Sequence, residues 1–373
     1  MYTVEQLIGI AKRENNRKRP YLMVNRLQGK YMPALPKEAL AMFETLAHIL
    51  RREYGEERLL IVGFAETATA IGAAVAVSMQ CPYIQTTRED IPGKEYLLFS
   101  EEHSHATEQR VVKKNLDFLR GSDTRVILID DEVTTGRTIL NLVSRLRAEY
   151  GDRLRFSVAS LLNCMEQEEK RRYQREGIAL HTLMETDRSK FAERAASCQA
   201  DGAYLEGKQE KPSCPYQVVT IAGAVEARTG TDGMTYQNAC DNLCREMIVK
   251  TGLNKMDMRG KKVLALGTEE FMFPGLCAAA QIEKLGADVR FHATTRGPVE
   301  VSCAKDYPLH IRYVLPSVYD RNRKTYFYNA AQYDKVYIFT DAPNPSKEAE
   351  YALVNALWEC GNKDITIIYW QRP

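Results

Sequence analysis

The chain has 373 residues, 45% hydrophobic and 27% charged, so it is long enough to bury the cores of two globular domains. Its formal net charge of +2 excludes the strong positive footprint of a general nucleic-acid or anionic-membrane binder. The nine cysteines lack zinc-finger spacing, which favours reduced thiols in a cytosolic protein. The longest apolar run, residues 71–79, is far shorter than a membrane span, and the N-terminal residues lack a signal pattern, so we expect a cytoplasmic protein.

The first part of the chain alternates predicted strands and helices. Residues 3–14 and 36–54 have helical spacing. The pattern then predicts strands at 59–63, 83–87, 125–130 and 155–163, and helices at 67–79, 107–120 and 137–149. Such alternation is typical of a Rossmann-like α/β fold with a mostly parallel sheet, in which ligands bind beyond the carboxyl ends of the strands. The polar segment 88–107 interrupts the alternation and predicts a lid or a disordered loop.

A stretch rich in charge and proline, residues 206–215, is the predicted linker. We therefore expect one domain at 1–205 and a second α/β domain at 216–373. In the second domain the pattern predicts strands at 216–225, 262–267, 288–296, 335–341 and 365–370, and helices near 235–250, 270–285 and 346–360.

The two predicted domains contain similar segments. Each has a strand ending in glycine, at Gly63 and Gly267, then an acidic residue, an alanine-rich helix and a second strand ending in Thr-Thr-Arg, at Arg88 and Arg296. The two glycine-to-arginine spacings are 25 and 29 residues. Chance similarity between two Rossmann-like domains is one explanation. Our hypothesis is a duplication whose second copy is degenerate, and a different strand order in the two halves would contradict it.

The strongest functional signal is the segment VILIDDEVTTGRT, residues 126–138. Small residues between a strand and a helix let backbone N–H groups converge on a phosphate, and the helix N-terminus adds a partial positive charge. Asp130 and Asp131 suit hydroxyl groups beside that phosphate, or a metal that bridges to them. A phosphate with a nearby vicinal diol indicates a ribose 5-phosphate. The segment lacks the Gly-Lys-Ser/Thr of nucleoside triphosphatases.

This segment resembles the phosphoribosyl pyrophosphate (PRPP) motif of type I phosphoribosyltransferases. The resemblance implies Mg²⁺-dependent transfer of a phosphoribosyl group from PRPP to a nucleobase-like or heterocyclic acceptor, with release of pyrophosphate. It implies that Asp130 and Asp131 are catalytic, close to the ribose hydroxyls and Mg²⁺. The other motif residues implied to bind substrate are Glu132, Thr134, Thr135, Gly136, Arg137 and Thr138.

Three further segments are similar to the orotate-type members of that family. GFAETATAIG, residues 63–72, lies where the family has its pyrophosphate loop, although many members carry a basic residue where this chain has Glu66. TTRE resembles an arginine-bearing strand end, which implies that Arg88 is catalytic and neutralises pyrophosphate. VNRLQGKYMP, residues 24–33, resembles the N-terminal hairpin of orotate-type enzymes and contains Lys30. The residues that these segments add to substrate binding are Glu66, Thr67, Ala68, Thr69 and Lys30.

The polar segment 88–107 lies where the family has a mobile catalytic loop, and it contains His103 and His105. We expect one imidazole to reach the pyrophosphate or the acceptor, because histidine transfers protons well near neutral pH. There are two alternatives. The histidines could form a metal site together with Glu101 and Glu102, or the segment could be a solvated loop without catalytic function.

The closer resemblance is to orotate-type transferases of tellurium-resistance gene clusters, which carry GFAETAT, TTRE and EEHSHA followed by a C-terminal TRSP domain. The Thr-Arg-Ser-Pro motif of that domain reads Thr-Arg-Gly-Pro at 295–298 in this chain. The resemblance implies nucleotide metabolism that makes a nucleoside-like product. Strand-end residues of the second domain are candidates for a second ligand site. They are Arg228, Thr268, Glu269, Glu270, Thr294, Thr295 and Arg296.

The function expected from these observations is a phosphoribosyltransferase that acts on PRPP and a small-molecule acceptor, without a nucleic-acid or membrane partner. The alternative, from another class, is a PRPP-binding regulatory protein without transferase activity. The expected assembly is a homodimer or an internal pseudo-dimer, in which the second domain lends residues to the first active site.

Overall fold

The computed structural model describes residues 3–100 and 108–372. We call the described residues up to 202 the N-terminal half and those from 203 onward the C-terminal half. The elements of the N-terminal half are α1 (Val4–Leu7), β1 (Ile8–Lys12), β2 (Tyr21–Asn25), α2 (Pro36–Tyr54), β3 (Leu59–Gly63), α3 (Thr69–Met79), β4 (Pro82–Gln85), β5 (Tyr96–Ser100), β6 (Glu108–Val112), β7 (Arg125–Val133), α4 (Arg137–Tyr150), β8 (Arg155–Asn163), α5 (Gln167–Arg175), β9 (Ala179–Glu185) and α6 (Phe191–Ala196). Those of the C-terminal half are β10 (Ala203–Glu206), β11 (Gln217–Ala222), β12 (Thr231–Asp232), α7 (Gly233–Thr251), α8 (Lys255–Met258), β13 (Lys262–Gly267), α9 (Phe273–Lys284), β14 (Asp288–Ala293), β15 (Ile311–Pro316), β16 (Lys324–Tyr328), β17 (Lys335–Thr340), α10 (Lys347–Glu359) and β18 (Ile365–Gln371).

The main sheet of the N-terminal half has the strand order β12-β4-β3-β7-β8-β9. All its strands run parallel except β12, which pairs antiparallel with β4 at the edge. Strand β3 is buried along its whole length, and so are residues 126–129 of β7, because helices cover both faces of a parallel sheet. The segment between β7 and α4 therefore lies at the carboxyl edge of the sheet.

The main sheet of the C-terminal half repeats this topology. Its five strands are all parallel and have the order β11-β18-β17-β13-β14. The strand series β4-β3-β7-β8 corresponds to β14-β13-β17-β18, because the strands of the two series occur in the same order along the chain. In each half an antiparallel hairpin, β5–β6 or β15–β16, comes after β4 or β14 in the chain. The strand order therefore agrees with the duplication hypothesis.

The predicted parallel α/β organisation is confirmed, but two helix predictions are wrong. Residues 108–112 of the predicted helix at 107–120 form β6, which pairs with β5 inside the predicted lid segment. Only residues 4–7 of the predicted helix at 3–14 are helical, because Ile8–Lys12 pairs antiparallel with Tyr21–Asn25. Short apolar segments fit either period, and a partner strand decides between them.

The two halves share one hydrophobic core. Helices α2 and α3 pack against α7 and α9, and a single cluster of buried side chains includes Phe43 and Ile71 from one half and Phe273 and Leu276 from the other. Strand β10, which precedes the predicted linker, pairs with β15, and β12 joins the opposite sheet. The domain boundaries at 205 and 216 stay a prediction. Among the described helices, none has both the length and the apolar character that a membrane span requires.

Candidate active site

A cavity of about 700 Å³ lies at the carboxyl edge of the N-terminal sheet, against the C-terminal half. This volume is in the range of small-molecule sites. The N-terminal half contributes residues 64–67 after β3, Arg88 after β4 and residues 130–139 after β7. The C-terminal half contributes residues 295–299 and 323–324. The cavity is therefore built from both halves.

The loop between β7 and α4 is shaped to receive an anion. Gly136, with φ of 66°, is the N-cap residue of α4 and has no side chain that could cap the helix. Tyr173 holds the loop from behind, since its hydroxyl donates to the carbonyl oxygen of Gly136 at 2.7 Å. Within the described part of the chain, the amide N–H groups of Thr134, Gly136 and Thr138 have no hydrogen-bond partner. Such a helix N-terminus binds phosphate groups.

Asp130 and Asp131 lie at the cavity end of β7. The hydroxyl of Thr67 donates to Asp131 Oδ1 at 2.7 Å, and the Asp131 N–H donates to Asp130 Oδ1 at 3.0 Å. Burial, and then the neighbouring charge of Asp131, raises the pKa of Asp130. Glu132 forms an ion pair with Arg19, while its buried Oε2 has no partner among the described residues. These acidic oxygens are therefore available to hydroxyl donors of a ligand or to a cation.

The donor set fits Mg²⁺ only as an ion shared with a ligand. Among the residues that the structure describes, no group of three or more His, Cys, Asp or Glu side chains could hold a metal ion. Asp130 and Asp131 nevertheless supply carboxylate oxygens at the cavity wall. Because Mg²⁺ commonly takes one or two carboxylates together with substrate phosphates, these two residues suit an ion that arrives with a pyrophosphate.

The loop after β3, residues 64–67, is held by backbone contacts. The Ala65 N–H donates to Thr86 Oγ1 at 2.8 Å, and Gln109 Nε2 donates to the Ala65 carbonyl oxygen at 2.9 Å. The amide groups of Glu66 and Thr67 have no hydrogen-bond partner within the described ranges. The loop therefore presents backbone donors to the cavity from a fixed position.

Glu66 lies in this loop, where a negative charge would oppose an anionic ligand. Two unit charges 4 Å apart repel by about 4 kcal/mol at an effective dielectric constant of 20. Glu66 is buried, forms an ion pair with Lys30, and accepts from the Arg296 N–H at 3.2 Å. Burial raises the pKa of Glu66, but Lys30 and Arg296 outweigh burial and hold the pKa at about 2. Its charge is thus compensated on the side of the C-terminal half.

Glu66 belongs to a group of buried and partly buried charged side chains between the halves, which we call the interhalf charge cluster. Its members are Lys30, Glu66, Glu89, Glu269, Glu270, Arg296 and Arg323. Arg296 is at the centre: its Nε lies 2.6 Å from Glu269 and 3.5 Å from Glu66, and its Nη2 lies 3.1 Å from Glu270. Burial lowers the pKa of Arg296, but the surrounding carboxylates raise it more strongly.

The structure brings most of the predicted site residues to one cavity. Those that line it are Glu66, Thr67, Arg88, Asp130, Asp131, Glu132, Thr134, Thr135, Gly136, Arg137, Thr138, Thr295 and Arg296. His103 and His105, with the alternative metal ligands Glu101 and Glu102, lie outside the described residues.

Eight predicted site residues lie away from the lining of the large cavity, namely Lys30, Ala68, Thr69, Arg228, Thr268, Glu269, Glu270 and Thr294. Lys30 is fully buried, and its Nζ donates to the carbonyl oxygens of Glu269 and Thr294 at 2.6 and 2.9 Å. Ala68 and Thr69 lie at the start of α3, and the Thr69 hydroxyl donates to the Glu270 carbonyl oxygen at 3.0 Å. Glu269 is buried in the interhalf charge cluster. Arg228 lies in a separate crevice of about 10 Å³ and forms ion pairs with Glu226 and Asp341.

Several residues of the cavity wall were not named individually from the sequence, although Phe64 and Ala65 lie in the segment 63–72 that was assigned to pyrophosphate. The residues not named individually are Arg13, Glu14, Asn15, Asn16, Arg19, Leu22, Tyr31, Phe64, Ala65, Gln109, Val133, Ile139, Gly297, Pro298, Val299, Arg323 and Lys324. Gly297 and Pro298 directly follow Arg296 in the Thr-Arg-Gly-Pro motif, which was a usable signal for both residues. The segment at 13–19 carries no comparable pattern, since long-range pairing between Arg13 and Val299 positions it.

Comparison with known families gives two matches. Residues 7–187 match a family described as phosphoribosyl transferase, and residues 227–357 match the TRSP domain, which occurs C-terminal to that transferase family. The two matches together span most of the chain. No protein with a curated description matches the chain.

Solved structures that match part of the chain include adenine and orotate phosphoribosyltransferases. The adenine phosphoribosyltransferase of Leishmania tarentolae is 17% identical, with 51% of this chain and 88% of that chain covered and a TM-score of 0.37. The enzyme from Thermoanaerobacter pseudethanolicus is also 17% identical, with coverage of 49% and 98% and a TM-score of 0.38. The orotate phosphoribosyltransferase of Aeropyrum pernix is 15% identical, with coverage of 52% and 94% and a TM-score of 0.32.

The two family matches follow each other in the order that the sequence motifs predicted. Residues 7–187 therefore belong to the phosphoribosyl transferase family, and residues 227–357 belong to the TRSP domain that occurs C-terminal to it.

Proposed function

We propose that the protein transfers the phosphoribosyl group of PRPP to a nucleobase-like or heterocyclic acceptor, with release of pyrophosphate. The observation that carries the proposal is the convergence of three loops on one cavity. The first loop, after β3, contributes residues 64–67, and the second, after β4, contributes Arg88. The third follows β7, and residues 130–138 at the end of that strand and in the loop line the cavity. Together they offer an anion-binding helix end, two carboxylates and a second set of backbone donors. The chemistry matches a ligand with a 5′-phosphate, a sugar diol and a pyrophosphate.

Each loop has a distinct role in this proposal. The residues 134–138 and the N-terminus of α4 bind the 5′-phosphate. Asp130 and Asp131 bind the ribose hydroxyls and stabilise positive charge that develops on the ribose ring when pyrophosphate departs. Arg88 and the amide groups of residues 66–67 hold the leaving pyrophosphate. A Mg²⁺ ion bound with PRPP would offset the charge of the leaving group.

The interhalf charge cluster supports this assignment. Because the Lys30 ammonium and the Arg296 guanidinium compensate Glu66, the loop after β3 presents its amide groups without an unpaired carboxylate. A ring nitrogen or carbon of the acceptor would displace pyrophosphate from the ribose carbon while the protein holds both partners in position. We further propose that the reaction takes place in the cytoplasm, in the synthesis of a nucleoside-like metabolite.

Pyrophosphate release tests the proposal directly. The protein is incubated with PRPP and Mg²⁺, with and without a panel of nucleobases and heterocyclic acids. We expect acceptor-dependent release, and we expect Asp131→Asn to lower it by at least about 100-fold, as loss of a preorganised charge typically does.

The matched control is Asp341→Asn, which changes the aspartate directly after β17, the topological counterpart of β7. We expect it to retain release within about threefold, since Asp341 lies outside the large cavity. PRPP binding without release under any condition would favour the alternative, a PRPP-binding regulatory protein. Absence of PRPP binding would refute both functions.

A further inference from the structure

The two halves contact each other through the same structural feature on each side. Glu270 of the C-terminal half accepts from the Arg88 N–H at 2.9 Å and from the Thr87 hydroxyl at 2.7 Å. In return, Glu66 of the N-terminal half accepts from the Arg296 N–H at 3.2 Å. Each glutamate is the third residue after the glycine that ends its strand, β3 or β13. Each half therefore uses its loop glutamate to bind the Thr-Thr-Arg segment of the other.

The hydrogen bonds inside these loops are also repeated. The Ala65 N–H donates to Thr86 Oγ1 at 2.8 Å, and the Glu269 N–H donates to Thr294 Oγ1 at 3.0 Å. The backbone N–H groups of Thr86 and Thr294 donate to the carbonyl oxygens of Gly63 and Gly267, the glycines that end β3 and β13, at 2.9 and 3.0 Å. Reciprocal contacts between like surfaces are the geometry of a twofold dimer interface, formed here within one chain.

The two halves differ at the carboxyl edges of their sheets, where the N-terminal copy of the repeated loops borders the large cavity and the C-terminal copy is occupied by side chains. Glu269 takes the position that Ala65 has in the N-terminal copy, and its fully buried carboxylate pairs with Arg296. Residues 317–323, between β15 and β16, cover this copy, where the Tyr319 hydroxyl lies 2.6 Å from Asp341 and 2.8 Å from Thr268. The crevice beside it measures about 10 Å³, room for about one water molecule. The C-terminal copy is filled by its own side chains, whereas the N-terminal copy opens into the large cavity.

We propose that the C-terminal half acts as a built-in, ligand-free partner subunit, and that Arg296 is a positioning residue for PRPP. Arg296 compensates Glu66 and holds its carboxylate, so that the loop at 64–67 receives pyrophosphate through its backbone. This inference rests on the proposed function, because it assigns the loop to the pyrophosphate of PRPP. It also accounts for an acidic residue in an anion-binding loop.

A double-mutant cycle on PRPP affinity tests the proposal. Arg296→Lys removes the planar fork that reaches several carboxylates, and Glu66→Gln removes the charge that requires compensation. We expect Arg296→Lys to raise the Kd for PRPP at least about tenfold in the wild-type background but less than about threefold in the Glu66→Gln background. The Kd is measured by calorimetry with Mg²⁺ present, on protein whose circular dichroism shows it to be folded.

A purely structural role for Arg296 predicts a different result. The same loss in both backgrounds, or no loss in either, would overturn the inference while leaving the proposed function in place. If Arg296→Lys does not fold, Lys30→Gln replaces it in the same cycle, because Lys30 compensates the same carboxylate. Wild-type protein that binds neither PRPP nor inorganic pyrophosphate would overturn both proposals.

The matched control is Arg125→Lys. Arg125 binds Glu57 through two nitrogens, at 2.8 and 3.1 Å, at the amino end of β7 and away from the cavity. The Arg125→Lys variant therefore loses a comparable bidentate ion pair and leaves the interhalf charge cluster intact. We expect its Kd for PRPP to stay within about twofold of wild type. A larger change would mean that loss of any such pair disturbs the site, and it would count against a specific role for Arg296.

Discussion

Gly136 is the residue on which the loop between β7 and α4 depends most directly. Its φ of 66° lies in the left-handed region, and a Cβ at this position would collide with Met165 Cε and the Tyr173 hydroxyl. Two constraints, one on the backbone and one on space, therefore act at the same position. The sequence motif revealed the glycine, but only the packing of Tyr173 shows the second constraint.

We predict that Gly136→Ala destabilises the protein by about 2–5 kcal/mol, the sum of left-handed backbone strain and overpacking. It should also weaken PRPP binding, because the loop must shift. Urea unfolding and calorimetry measure the two effects. Gly121→Ala is the control: φ there is 68°, and nothing lies within 4 Å of the added Cβ, so only the backbone cost applies. Equal destabilisation by the two variants would contradict the packing argument.

At the scale of elements, α3 lies unusually close to β3. A Cβ added at Gly72 would lie 2.8 Å from the Gly63 Cα and 3.0 Å from Tyr83. Gly63 ends β3 and leads directly into the loop at 64–67, so the contact between helix and strand positions the proposed pyrophosphate site. The Ala-rich sequence of α3 predicted the helix, but the close approach depends on a contact between two glycines nine positions apart.

Gly72→Ala should therefore destabilise the protein although alanine is the better helix former. The gain in helix propensity is about 1 kcal/mol, whereas overpacking against backbone costs about 1–3 kcal/mol. We expect a lower urea midpoint with an unchanged m-value. In α9, the counterpart of α3, the Cβ of Gly275→Ala meets only ordinary contacts of 3.4 Å or more, so this variant should be neutral or stabilising. Destabilisation by Gly275→Ala alone would refute the argument.

The hairpin β5–β6 shows why one element was mispredicted. Val111, Val112, Leu116 and Leu119 are all buried and have spacings compatible with a helix. Residues 108–112 form a strand because β5 offers backbone partners along its whole length. Short segments of this kind are decided by their neighbours, which a local pattern does not contain.

At the scale of the whole molecule, acid sensitivity should follow from the contact between the halves. The pKa of Glu66 is held at about 2, below its ordinary value of 4.5. A group whose pKa is lowered on folding stabilises the protein above the unfolded pKa, and this stability is lost as the pH falls towards the folded pKa. The contribution of Glu66 should thus be complete above pH 4.5 and disappear between pH 4.5 and 2.

We predict that Glu66→Gln makes the unfolding free energy less dependent on pH in this window. The wild-type contribution is of the order of 3 kcal/mol, from 1.36 kcal/mol per pKa unit. Urea unfolding from about pH 7 to 2 measures it. Glu44→Gln, which removes an exposed carboxylate outside the interhalf charge cluster with a side chain 56% accessible, serves as the control. Parallel curves for Glu66→Gln and wild type would exclude a major role for this contact in acid stability.

The sequence by itself determined the parallel α/β class, the family and the loop at 130–138, because hydrophobic period, small residues and paired acids are local properties of the chain. It also revealed the internal repeat through the spacing of glycine and arginine. Only the tertiary structure decided that the repeats face each other, that Lys30 and Arg296 compensate Glu66, and that one copy is filled. These features depend on contacts between residues about 200 positions apart, and packing of the shared core, rather than local sequence, brings such residues together.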